Sequence, residues 1–266
     1  MNANYHTHTW RCNHAYGREQ DYVEKAIESG MKVLGFSDHT PYNFPNNYIS
    51  RNRMMPSQLE GYVDTVLRLR SIYKNEIDIL LGLEIEYYPD LWGDLLSFLN
   101  IYPFDYFLLG QHYISNEYDN PIYCGRPTNS ATRLRLYCNQ CIEALSKANF
   151  LYFAHPDLFN YTGRIDIYIY EMRRLCRFCK EHDVPLEVNM LGIRESRNYP
   201  NPIFWEIASE EGNRIVFGAD AHYPHHVFQS DVIDEAYKII QKSGIPTTRL
   251  SDILLSYRND CKCDYD

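Results

Sequence analysis

The sequence predicts an α/β barrel, and two observations predict it. Seven short apolar runs alternate with stretches of helical periodicity, the pattern made by parallel strands with crossover helices. Six of the seven runs end in a histidine or a buried-looking acid and the other is followed by arginine, as expected where a barrel gathers functional residues at the carboxyl ends of its strands. With 266 residues, 45% of them apolar and 23% charged, the chain has the size and composition of one such domain, residues 1–266.

The first strand is expected at Asn4–Thr9, where alternation puts His6 and His8 on one face. Arg18–Gly30 carries Tyr22, Val23, Ala26 and Ile27 at helical spacing, with Gly30 as its stop. Val33–His39 is apolar without alternation, as in a strand buried on both sides, and ends in Asp38-His39. Pro41–Pro56 is a long polar and aromatic loop of the kind that usually serves function. A helix from Pro56-Ser57 to Tyr73 leads into a third strand, Ile77–Tyr87, where Glu84 sits in a run so apolar that its charge needs a partner.

A short helix, Leu91–Leu99, precedes the fourth strand, Phe104–His112, and a loop follows from Ile114 to Pro127. The helix Ser130–Ala148 is followed by the fifth strand, Phe150–Asp157, which carries His155 near its end. After a helix from Asp166 to His182 come the sixth strand, Val184–Asn189, and a loop with Arg194. A helix around Phe204–Ala208 then leads to the seventh strand, Arg214–His222, which carries Asp220. Asp231–Ser243 is a closing amphipathic helix with Ser230 as the expected N-cap.

No window approaches the ~20 apolar residues of a membrane span. The amino terminus is polar and histidine-bearing rather than a signal sequence, so a cytoplasmic location is expected. A net charge of −9 without a basic track argues against nucleic acid as a partner. It does not exclude phosphate, because bound cations can reverse the local sign. Among eight cysteines, Cys138/Cys141 and Cys176/Cys179 imitate zinc-binding pairs. Each pair lies on the apolar stripe of its helix, so core packing is expected; Cys261 and Cys263 sit in a polar tail.

Seven of the ten histidines, namely His6, His8, His14, His39, His112, His155 and His222, lie at or just after strand ends. His182, His225 and His226 are left over. With Glu84 and Asp220 the seven make nine nitrogen and oxygen donors, too many for one ion at four to six ligands. Two to three divalent transition metal ions are therefore expected, and Zn, Mn and Fe all suit such donors. Closely spaced ions acidify a water and clamp the oxygens of an in-line displacement, which makes a small phosphate ester the natural substrate.

His6-Thr7-His8, His14, Ser37-Asp38-His39, Gly82-Leu83-Glu84, Gln111-His112, Ala154-His155-Pro156 and Gly218-Ala219-Asp220-Ala221-His222 together resemble the motifs of the polymerase and histidinol phosphatase (PHP) family, in order, across residues 5 to 222. The resemblance implies a distorted seven-stranded TIM-like barrel with a trinuclear centre. One metal would be held by His6, His8, Glu84 and Asp220, a second by Glu84, His112 and His155, and a third by His14, His39 and His222. Glu84, Asp220 and His222 would be the catalytic set. Asn189–Arg194 followed by Tyr199-Pro200 is similar to histidinol-phosphate phosphatases of that family, which implies cleavage of L-histidinol phosphate in histidine biosynthesis. A nucleotide or sugar phosphate is the alternative substrate. Arg194 is then a candidate bidentate phosphate clamp, with a loop salt bridge as the other reading and Arg51, Arg53, Arg126 and Arg164 as rivals. Glu117 and Asp119 could meet the substrate's ammonium or imidazole. Oligomeric state is left open.

Overall fold

A computed structural model describes residues 1–246. The tail expectations, Cys261 and Cys263 among them, lie outside the described residues. A parallel seven-stranded sheet runs in the order β1 (Ala3–Asn4), β2 (Val33–His39), β3 (Asp78–Ile85), β4 (Tyr106–Leu109), β7 (Tyr152–Phe153), β8 (Leu186–Asn189) and β9 (Ile215–Gly218). The crossovers carry α1 (Glu19–Glu28), α2 (Leu59–Ile72), α3 (Trp92–Leu99), α4 (Ala131–Lys147), α5 (Ile165–Glu181) and α7 (Pro202–Glu211), and α8 (Ser230–Lys242) follows β9. The helix interiors follow from their stripes. In α5, Tyr168, Met172, Leu175, Cys176 and Cys179 are buried at helical spacing.

The ring closes through one bridge rather than a long ladder. Thr7 pairs with Ala221, His8 N–H donates to Ala221 O (3.0 Å) and Ala221 N–H donates to His6 O (3.1 Å). On the other side, Ser37 N–H donates to Thr7 O (2.9 Å). The expected strand Asn4–Thr9 is thus a two-residue strand followed by an extended segment wedged between β2 and β9. Inside the barrel, Tyr5, Leu80, Tyr106, Leu108, Leu151, Tyr152, Ala154 and Val216 form a separate apolar cluster. The Tyr106 hydroxyl donates to Tyr5 O (2.7 Å), which ties the amino-terminal segment to the strand opposite.

Other differences lie where local rules are weakest. The expected loop Ile114–Pro127 contains an antiparallel hairpin, β5 (Tyr113–Ile114) with β6 (Ile122–Tyr123). The stretch around Arg194 forms a short helix, α6 (Met190–Arg194), because Asn189 caps it by accepting from Gly192 N–H (3.1 Å). Gln229, rather than Ser230, occupies the N-cap position of α8. The four helical cysteines are buried and free, and none belongs to a metal-competent group among the described residues. No helix among the described residues is long and apolar enough to cross a membrane.

Candidate metal centre

All nine donors meet at the carboxyl end of the barrel: His14, His39, Glu84, His112, Asp220 and His222 line a cavity of ≈630 Å³, and His6, His8 and His155 are buried beside them. Topology does this. β2 and β3 pair in a register that sets His39 beside Glu84, and the closing bridge at Thr7 holds His6 and His8 across from Asp220. His112 and His155 lie three and two residues beyond the ends of β4 and β7. His155 (φ 31°) and Asp220 (φ 46°) are held in the left-handed region that L-residues avoid. Such strain persists where surrounding structure over-determines it, commonly at functional sites. Gly110 leaves the room Glu84 needs, since a Cβ there would stand 1.9 Å from Glu84 Oε1.

The donor separations suit shared ions. Two ligands on one ion at ~2.1 Å stand roughly 3.0–3.4 Å apart. His6 Nε2 is 3.6 Å from both Glu84 Oε1 and Asp220 Oδ1, and His8 Nε2 is 3.1 Å from Asp220 Oδ1 and 3.7 Å from Glu84 Oε2. Around Glu84 Oε1 lie His155 Nε2 at 2.8 Å and His112 Nε2 at 3.9 Å. The donor atoms of His14, His39 and His222 form a third group, mutually within 4.8 Å. The groups touch one another, for His39 Nδ1 is also 2.8 Å from Glu84 Oε2.

The chemistry of these atoms fits metal. His6 Nε2, His8 Nε2, Glu84 Oε2 and Asp220 Oδ1 are buried and make no well-aligned hydrogen bond among the described residues, although ion-pair distances of 2.8 to 3.7 Å link them to one another and to His39. Orphans of that kind are costly, and four converging at one point would be an unexplained penalty in a site meant for nothing. His14 Nδ1 lies 2.8 Å from Cys12 O and His222 Nδ1 3.1 Å from Asp220 O. With Nδ1 donating to a carbonyl, each ring leaves its Nε2 lone pair for a metal.

Burial opposes charge on His6, His8, His14, His39 and His222, but the outcome differs between them. At His6, Glu187, Asp220 and Glu84 outweigh burial and hold the imidazole well above its ordinary value. At His8, Asp220 and Asp38 do the same and raise it to about 9. Burial and the nearby His8 hold His39 and His222 well below the ordinary value, and lower His14 as well. Glu84 and Asp220, despite burial, are kept well below the usual carboxylate range by the surrounding histidines.

Three acids outside the expected ligand set support the donors. Glu86 lies 3.1 Å from His112 Nδ1, Asp38 lies 3.5 Å from His8 Nδ1, and Glu187 lies 2.8 Å from His6 Nδ1. The rule that singled out Glu84, an acid inside an apolar strand, applies equally to Glu187. A buried thiol, Cys12, groups with His8 and His222, although no thiolate was expected in the set. Burial pushes that thiol strongly up.

The arginines and loop acids are placed differently from expectation. Arg194 does not line the cavity. Its Nε donates to Gln229 Oε1 (2.5 Å) and its Nη2 to Ala219 O (3.3 Å) and His226 O (3.4 Å), so it braces the turn that carries Asp220. Arg53 reaches the wall but is buried between Glu86 and Glu117, which places Glu117 in an ion pair. Asp119 is exposed and bonds Asn120, and Arg164 pairs with Asp166 at the surface. Arg51 is exposed and outside the cavity wall. Arg126 lines the cavity, as does Arg197, which was not expected. His226 lines it too, whereas His182 lies exposed on α5's last turn.

Fold and site together define an α/β barrel with a histidine–carboxylate centre at the carboxyl ends of its strands. The chain belongs to the PHP domain family, which it matches over residues 4–190. It is 28% identical over 228 residues to a probable histidinol-phosphatase of Deinococcus radiodurans, covering 84% of this chain and 86% of that protein. A probable histidinol-phosphatase of Schizosaccharomyces pombe is 24% identical over 265 residues, covering 90% and 86%. The fold superposes on the crystal structure of histidinol phosphate phosphatase from Lactococcus lactis, complexed with zinc, L-histidinol and phosphate. The TM-score is 0.71 at 21% identity, with 92% of this chain and 94% of that one covered.

Proposed function

We propose that the protein is a metal-dependent phosphomonoesterase that hydrolyses L-histidinol phosphate to L-histidinol and phosphate. The observation that carries the reading is the convergence of buried donor atoms that lack an aligned hydrogen bond at the base of one cavity, with Glu84 and Asp220 on its wall. Likeness to the two probable histidinol-phosphatases over most of each chain supports the substrate. His6, His8, Glu84 and Asp220 would hold a first divalent ion, Glu84, His112 and His155 a second, and His14, His39 and His222 a third. The chemistry such ions supply when bound is a water acidic enough to attack near neutral pH and neutralisation of charge on the phosphoryl oxygens.

The chain's own groups do the rest. Glu84, shared by the first two positions, fixes their spacing, and Asp220 and His222 orient the turn that joins the first and third. Arg126 and Arg197 face the cavity and can bind phosphate oxygens, while Arg194 acts from behind the wall. For the leaving group, Tyr113, Tyr123 and Tyr199 offer aromatic faces suited to a cationic ammonium or imidazolium, while the wall carboxylate of Glu195 is ion-paired with Arg197. The buried thiols are free, which fits a cytoplasmic enzyme of histidine biosynthesis. The test is a comparison of kcat/KM on L-histidinol phosphate with that on an aryl phosphate. The first should exceed the second at least ~100-fold, the scale on which lost polar contacts to a leaving group are felt. Equal values would leave only a general phosphoesterase, with nucleotides and sugar phosphates as the next substrates to try.

A further inference from the structure

β8 is the barrel strand that, apart from β1's short extension, breaks the pattern: none of the nine donors lies on it or directly after it. It nevertheless carries an acid with no exposure at all, Glu187, which faces inward with Asn189 two residues on. The Glu187 carboxylate is engaged on both oxygens. Oε1 is 2.8 Å from His6 Nδ1. Oε2 accepts from the backbone N–H of His155 (2.9 Å) and from Asn189 Nδ2 (2.9 Å). Asn189 Nδ2 also donates to Asp220 Oδ2 (3.0 Å). One carboxylate therefore reaches donor residues from three separate stretches of chain, directly or through one amide.

Those three residues share a property. In the proposed assignment, on which this inference rests, His6 and Asp220 belong to the first metal position and His155 to the second. Among the described residues Glu187 makes no hydrogen bond or ion pair with His14, His39 or His222. We infer that Glu187 is a positioning residue that couples the first and second metal positions and leaves the third independent. As acceptor it holds the proton of His6 on Nδ1, so that Nε2 presents its lone pair. Through the His155 amide it pins a residue whose backbone lies in a disfavoured region. By way of Asn189 it sets which oxygen of Asp220 remains for a cation.

Glu187→Gln tests this, because a carboxamide keeps the size but must turn its NH2 toward His6 or toward the two donors on the other side. A chelator-buffered zinc titration of the metal-free protein, with elemental analysis, reads affinity and count together. The variant should bind two of the three equivalents about 10–100-fold more weakly, with the third unchanged. Glu86→Gln, which touches His112 alone among the donors, should weaken only one. The melting temperature of metal-free Glu187→Gln separates the roles: an altered melting point with wild-type zinc affinity overturns the inference, and so does weakening confined to one equivalent. If that variant does not fold, Gly218→Ala displaces the same carboxylate, since its Cβ would stand 1.6 Å from Glu187 Oε1. Wild-type affinity in folded Gly218→Ala overturns the inference as well. A wild-type protein that binds no zinc would instead sink the metal assignment itself.

Discussion

The two halves of the centre are built on opposite electrostatic principles. In one half, Glu84 and Asp220 stand among His6, His8, His112 and His155, with Glu187, Glu86 and Asp38 behind them. The imidazoles His6, His8 and His112 are there drawn upward in pKa by the acids, against burial. In the other half, His14 stacks on His222 with ring centroids 4.7 Å apart and lies tilted against His39 at 5.3 Å. Burial, with the nearby His8, lowers the basicity of these three. The acid-bearing half attracts a cation strongly but must release protons to bind it; the imidazole half is already deprotonated but offers little charge. Under the proposed assignment, ions bound in the two halves would therefore differ in affinity because carboxylates back one half and not the other.

The largest effect should come from breaking the acid-bearing half at its shared ligand. Glu84→Gln removes the charge common to two positions, so the protein should retain about one equivalent of metal, and kcat/KM should fall at least ~10²-fold, as when a single charge-stabilising group is removed from an active site. Elemental analysis and steady-state kinetics check this; two or more retained equivalents would mean that Glu84 is not shared.

A smaller and more discriminating effect should appear with pH. His8, raised to about 9 in the metal-free protein, must lose a proton before a metal can bind. Affinity at the first position should therefore climb from neutrality to about pH 9 and then level, while that of His14, His39 and His222, lowered from 6.5, should be flat above pH 7. A manganese titration at several pH values resolves the two slopes. Parallel slopes would erase the contrast between the halves.

Much of this molecule was legible in its sequence, for a physical reason. A parallel barrel sends every strand end to one face, so a histidine after an apolar run already has an address, and the nine donors meet as that logic requires. Lengths were less legible: Asn4–Thr9 pairs regularly only at Asn4, and β7 has two residues where a longer strand was expected. Strain at His155 and the single closing bridge at Thr7 end those ladders early, and periodicity carries no sign of either. Glu187 could have been read from its apolar neighbours Leu186 and Val188, as Glu84 was. The choice among arginines could not, because Arg194 and Arg197 are separated only by how α6 turns, which depends on the Asn189 cap. The hairpin of β5 and β6 escaped for a similar reason, being only two residues on each side and held by tertiary contacts such as Cys124 N–H to His112 O (2.8 Å).

The central claim is that three metal positions occupy one cavity floor, two governed by carboxylates and one by imidazoles alone. Elemental analysis of the zinc-equilibrated protein beside His14→Ala tests it most directly. The account predicts three equivalents in the wild type and two in the variant, with the lost ion being the one most readily removed by a chelator. A wild-type protein holding one equivalent or none, or a His14→Ala protein that keeps all three, would contradict it.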